Sequence, residues 1–151
     1  MYLPIGKRTL FAIRAFGAMS DGNAPTVYYF GGLDQLRGFD FRTISPKSQG
    51  AIDPTLPPPN DGIGGNWLFF LGAQFEQPLV KDAFSTVLFA DSGTVESDLS
   101  FDHYRLSVGF GVRLYIPQFG PAPLAFDFAI PLLLEDTDET QVFSFSAEIP
   151  F

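Results

Sequence analysis

The sequence has no cysteine, which excludes a disulfide framework and any thiolate metal site and is compatible with an oxidising compartment. Charge is sparse: Asp, Glu, Lys and Arg make up 17% of the 151 residues, against about a quarter in an ordinary soluble domain. Nine Lys and Arg face seventeen acids, for a net charge of −8. Phosphate backbones need a basic face, so no nucleic-acid partner is expected. No run approaches the roughly 18 apolar residues of a membrane-spanning helix, so any crossing of a bilayer has to be made by strands. Met1 to Arg8 lacks the pattern of a secretory leader, and an envelope protein would have its true start elsewhere. The single histidine, His103, leaves Ser85, Ser107, Ser144 and Ser146 no choice of base. No Gly-x-Ser-x-Gly elbow is present either, so no catalytic residue is expected. The acid run Glu135-Asp136-Thr137-Asp138-Glu139 lacks the glycine and spacing of a calcium loop and reads as a solvated connection. No metal and no cofactor are expected.

What the chain has is aromatic residues, 18 of them Phe, and period-2 alternation in segment after segment. Residues 103–116 are the clearest case. Tyr104, Leu106, Val108, Phe110, Val112, Leu114 and Ile116 occupy one face, and His103, Arg105, Ser107, Gly109, Gly111, Arg113 and Tyr115 the other. In 141–151, Phe143, Phe145, Ala147, Ile149 and Phe151 oppose Ser144, Ser146, Glu148 and Pro150. In 123–131, Leu124, Phe126, Phe128 and Ile130 oppose Ala125, Asp127 and Ala129. In 67–77, Trp67, Phe69, Leu71, Ala73 and Phe75 oppose Gly72, Gln74 and Glu76. Residues 9–18 and 83–92 are apolar on both faces, with Arg14 and Asp91 each marking one as polar.

Six strands of this length match the ~9–11 residues that cross a bilayer at a tilt. The connections alternate between long (20–66, 93–102, 132–140) and short (78–82, 117–122), as they do in outer-membrane barrels. A water-soluble sandwich is the competing reading. It fails on the polar faces, which hold Gly, Ser, Ala and opposed charges (Arg14, Arg105 and Arg113; Glu76, Asp91, Asp127 and Glu148) rather than a solvated Lys, Glu and Thr surface. The predicted fold class is therefore all-β: an antiparallel transmembrane β-barrel spanning 1–151, with 20–66 as a long extracellular loop. Within it, Ala51 to Asn60, with Pro54 and Pro57 to Pro59, reads as an extended cap.

Several motifs occur in one order: Phe30-Gly31-Gly32 and Leu36-Arg37-Gly38-Phe39 in the long loop, Gly64-Gly65-Asn66, Phe89-Ala90-Asp91-Ser92-Gly93-Thr94-Val95, Arg105 with Val108 to Arg113, Phe126-Asp127 with Ala129 to Leu132, and a terminal Phe151. In this the chain resembles the C-terminal part of the barrel of BamA- and TamA-type outer-membrane assembly and translocation proteins, the bacterial surface antigen family. The resemblance implies the last six strands of a larger barrel of about sixteen. It also implies that Arg37, Gly38 and Phe39, with Gly31 and Gly32, form a loop folded back into the lumen, where Arg37 meets Asp91. Gln74 stands where the family often has a glutamate. Glu76, on the same face and about 7 Å along the strand, is the candidate replacement as a second lumen partner.

The implied function is non-enzymatic insertion or translocation of polypeptides at the outer membrane of a Gram-negative-type bacterium, by strand templating at a barrel seam. Phe143, Phe145, Ile149 and Phe151 would form the seam strand and assembly signal. Six strands fall short of the roughly eight that close a lipid-facing barrel. The implied partners are therefore outer-membrane lipid, further strands from the same protein or another chain, and nascent outer-membrane or secreted proteins as clients. A passive pore, a receptor-type barrel or a non-functional fragment of the family is the alternative.

Overall fold

A computed structural model describes residues 1–4, 9–21, 27–32, 35–48, 61–80, 83–116 and 123–147. The cap at 51–60, and Glu148, Ile149, Pro150 and Phe151, lie outside the described residues. A seven-stranded antiparallel sheet is formed by β1 (Tyr2–Pro4), β2 (Leu10–Met19), β4 (Trp67–Val80), β5 (Phe84–Glu96), β6 (Arg105–Leu114), β7 (Leu124–Leu133) and β9 (Phe143–Ala147), paired in that order. A two-stranded ladder joins β3 (Gly38–Phe39) to β8 (Thr140–Gln141).

The differences from the sequence expectation have identifiable causes. The edge strand β1 is too short to show alternation. β4 and β5 run on to Val80 and Glu96, so the connection expected at 93–102 contracts to 97–104. The last segment does not begin as a sheet strand: Thr140 and Gln141 pair with the long loop, and only Phe143–Ala147 joins β7.

The sheet has the opposite polarity to that of a water-soluble protein. On β6 the buried side chains are Arg105, Ser107 and Arg113, the last only 1% exposed, while Phe110 is 53% exposed. On β7, Asp127 is buried and Ile130 is 61% exposed. Phe110 and Phe128 stack at 5.2 Å on the outward face, and Phe126–Phe145 and Phe128–Phe143 continue the aromatic surface to β9. Near the long loop, Phe101 packs edge-on to the outward-facing Trp67 and Phe69. A face of this kind is stable only against a medium as apolar as itself.

The inward face carries rows of residues in register across the strands. One row runs Arg14, Gly72, Asp91, Ser107, Pro131; the next runs Ala12, Gln74, Phe89, Gly109, Ala129. Phe110→Arg places a charge on the outward face at mid-strand. It should cost about 2–4 kcal/mol in a bilayer, read as a fall in the unfolding midpoint in lipid vesicles, whereas Ser107→Ala on the inward face should cost under half as much.

Candidate functional site

The long loop re-enters the concave side of the sheet because its apolar residues have a place to go. Phe30, Leu36, Phe39 and Ile44 form one buried cluster with Leu68, Phe70 and Val95 of the wall. Each such side chain contributes about 1.5–3 kcal/mol when fully buried. Leu68 and Phe70 escape a reading by alternation, since Trp67 to Leu71 is apolar on both faces, yet they form the wall's half of this cluster. Phe30 and Ile44 pair by both backbone bonds, each 2.9 Å, and so close the loop on itself.

Gly31 (φ 113°) and Gly32 (φ 105°) make the entry turn, where the Gly32 N–H donates to the Phe39 carbonyl at 3.1 Å. Gly38, at φ 95°, is the residue that brings the loop against the wall. A Cβ there would lie 3.2 Å from the Cβ of Ala129 and 3.3 Å from that of Ser107, in a backbone region that side chains rarely adopt.

Held between buried Leu36 and Gly38, Arg37 points into the polar part of the concave face. Its Nε donates to Asp91 Oδ2 at 2.6 Å and its Nη2 to Asp91 Oδ1 at 3.0 Å, a bidentate pair. Nη1 donates to Gln74 Oε1 at 3.2 Å and lies 3.5 Å from Asp127 Oδ2. The guanidinium sits 3.5 Å above the Phe89 ring, within range of a cation–π attraction. Asp127 is itself clamped by Arg113, with Nη1 at 2.6 Å and Nη2 at 3.0 Å. Two arginines and two aspartates thus share one buried cluster with balanced charge.

The motif from Phe89 to Val95 can now be read residue by residue, since its odd-numbered members all face inward. Phe89 lies beneath the guanidinium, and its ring occupies the space over Gly109, where a Cβ would be 2.3 Å from the ring. Asp91 binds the arginine. Gly93 leaves room for Phe30 and Leu36, which a Cβ would approach to 3.1 and 3.4 Å. Val95 joins the apolar cluster.

Two expectations change. Glu76 faces inward but does not meet Arg37: its Oε1 accepts from Ser85 Oγ at 2.5 Å and Tyr115 OH at 3.2 Å. Gln74 occupies the nearer row and meets Arg37 as a neutral acceptor, and Asp127 supplies the second carboxylate. The acid run is not simply solvated, because the side chain of Asp138 is fully buried against Arg105. Of the seam residues, Phe143 and Phe145 are exposed on the outward face of β9, while Ile149 and Phe151 lie outside the described residues.

The family model described as the Omp85 superfamily domain matches residues 9–151. Among curated proteins, the outer membrane protein assembly factor BamA of Nitratidesulfovibrio vulgaris (strain Hildenborough) is 30% identical over 110 residues, which cover 70% of this chain and 12% of that protein. Among solved structures, BamA from Haemophilus ducreyi lacking POTRA domains 1-3 matches with a TM-score of 0.78 at 24% identity, over 95% of this chain and 32% of that one. The chain therefore spans under a third of the length of either.

Asp91→Ala would strand the Arg37 charge and should destabilise the docked loop by about 3–5 kcal/mol. Glu76→Gln keeps an acceptor for Ser85 and Tyr115 and should change stability by under about 1 kcal/mol. Urea titration of the two variants in vesicles, with the intrinsic fluorescence of Trp67 as readout, checks the contrast.

Proposed function

The chain belongs to the Omp85 superfamily, and from that premise we propose that it walls one side of an outer-membrane barrel that inserts or translocates polypeptides without catalysis. The observation that carries this reading is the bidentate Arg37–Asp91 pair, which joins the long loop to the concave face. Such a pair contributes little net stability, since desolvation offsets the attraction, but breaking it leaves a buried charge. It acts as a fastener that fixes one geometry.

Strand templating supplies the chemistry. β9 is the terminal strand of the sheet, and an edge strand offers backbone N–H and C=O groups to an incoming strand. Among the described residues, β1 forms the opposite edge of the sheet. In hydrocarbon every unsatisfied backbone group costs several kcal/mol, so further strands, from the same protein, another chain or copies of this one, complete the wall.

The partners under this reading are outer-membrane lipid on the face of Phe110, Phe128 and Ile130, and unfolded outer-membrane or secreted polypeptides at the seam. In the intact protein in its native membrane, Arg37→Ala should reduce the yield of newly assembled or exported clients at least about tenfold, consistent with loss of a buried pair. Arg42→Ala, which removes an exposed stacking contact with Tyr29, should leave the yield near wild type. Equal yields from the two variants, each present at wild-type levels, would refute the lock.

A further inference from the structure

Arg37 is not the loop's only attachment, and a second one lies where the chain prepares to enter its last strand. Asp138 closes the turn after β7: its N–H donates to the Glu135 carbonyl at 3.0 Å, and its Oδ2 accepts from the Glu135 N–H at 2.9 Å. The same carboxylate takes Arg105 in a bidentate pair, Nε at 2.9 Å and Nη2 at 3.1 Å, with side-chain exposures of 4% and 0%. Arg105 Nη1 also donates to the His103 carbonyl. β6 thereby holds the turn in place.

The residues immediately after that turn grip the long loop. The Glu139 N–H donates to Thr43 Oγ1 at 2.8 Å and the Glu139 carbonyl accepts from the Asp40 N–H at 2.9 Å. Thr140 then pairs with Phe39 and Gln141 with Gly38, the two residues that follow Arg37. One residue later the Val142 carbonyl accepts from the Ala129 N–H at 2.8 Å, and β9 begins at Phe143. A continuous run of bonds thus connects the Arg105–Asp138 pair, the loop beside Arg37 and the first residue of the last strand.

We propose that Arg105 and Asp138 are positioning residues of a second lock, which fastens the arginine loop to the connection that feeds β9, so that loop and seam strand release together. The inference deepens the reading above and rests on its assignment of β9 as the strand on one side of the seam. Its physical basis is that β8 and β9 are separated by Val142 alone, too short a tether for one to part while the other stays. A client that displaces β9 at its free edge therefore pulls on the β3–β8 ladder, and an undocked loop removes the support at the head of β9.

The chain has no cysteine, so introduced thiols report cleanly. In the intact protein in native membranes, Ala125→Cys with Ser146→Cys, register partners of β7 and β9, measures the seating of β9 on the wall by disulfide yield. Added proteinase K measures release of the loop by cleavage at Phe39, which is buried when the loop is docked. Asp138→Asn, which keeps the acceptor for Glu135 but discards the charge, should raise loop cleavage and lower the disulfide yield, each at least about fivefold, as expected for loss of a buried charge pair.

Thr43→Val, outside the ion pair, should move both readouts in the same direction by a smaller factor. In the Asp138→Asn background, an oxidised Asp40→Cys/Glu139→Cys bridge, introduced without the reporter pair, should restore protection of the loop, and dithiothreitol should abolish the rescue. If loop cleavage rises while the seating of β9 stays at wild type, or neither moves in protein that is still folded by heat-modifiability, the coupling is wrong. If both move together while client assembly is unaffected, the coupling stands and the proposed function fails.

Discussion

A guanidinium inside a barrel wall must be matched in charge and geometry, and the concave side of this sheet is organised to do that for Arg37. Asp91 takes it edge-on through two oxygens, Gln74 fills a third donor, and Phe89 lies flat beneath it. Phe89 can lie flat only because Gly109 has no side chain in the register position opposite. Asp127 can serve two arginines because Arg113 secures it from the neighbouring strand. Each residue makes little sense alone: glycines in a strand weaken it, and charges in a wall cost desolvation. Together they form a socket of one shape.

The apolar and polar parts of the docked loop do different work. Phe30, Leu36, Phe39 and Ile44 supply the free energy that draws the loop inward, an effect without direction. Arg37 and the β3–β8 ladder supply direction, since hydrogen bonds fail when distances and angles are wrong. A greasy loop alone would enter in many poses; an arginine alone would stay in water.

Much of the wall could be read from the residues. β6 alternates Arg, Ser, Gly, Gly, Arg against Leu, Val, Phe, Val, Leu, so its two faces declare themselves, and β7 does the same around Asp127. The family resemblance carried by the motifs implies Arg37 and Asp91 as partners although 54 residues separate them. Elsewhere the signal fails for physical reasons. Leu68 and Phe70 are apolar among apolar neighbours, so alternation cannot say that they face a plug rather than lipid. β3 and β8 are two residues each, shorter than any period. Asp138 sits among acids that resemble a solvated loop, and only the fold of the 134–139 turn shows that one of them has a buried cation to meet.

The apolar cluster that seats the loop has an electrical meaning as well. A hydrated ion crossing the barrel beside this wall would meet, at the level of Phe30, Phe39 and Phe70, a dry patch in which no side chain can replace its water. Just below, it would meet an arginine–aspartate array whose charges already satisfy one another. Along this sector the docked loop is an insulator. Were the wall closed into the barrel proposed above, unseating the loop would open this sector to small solutes.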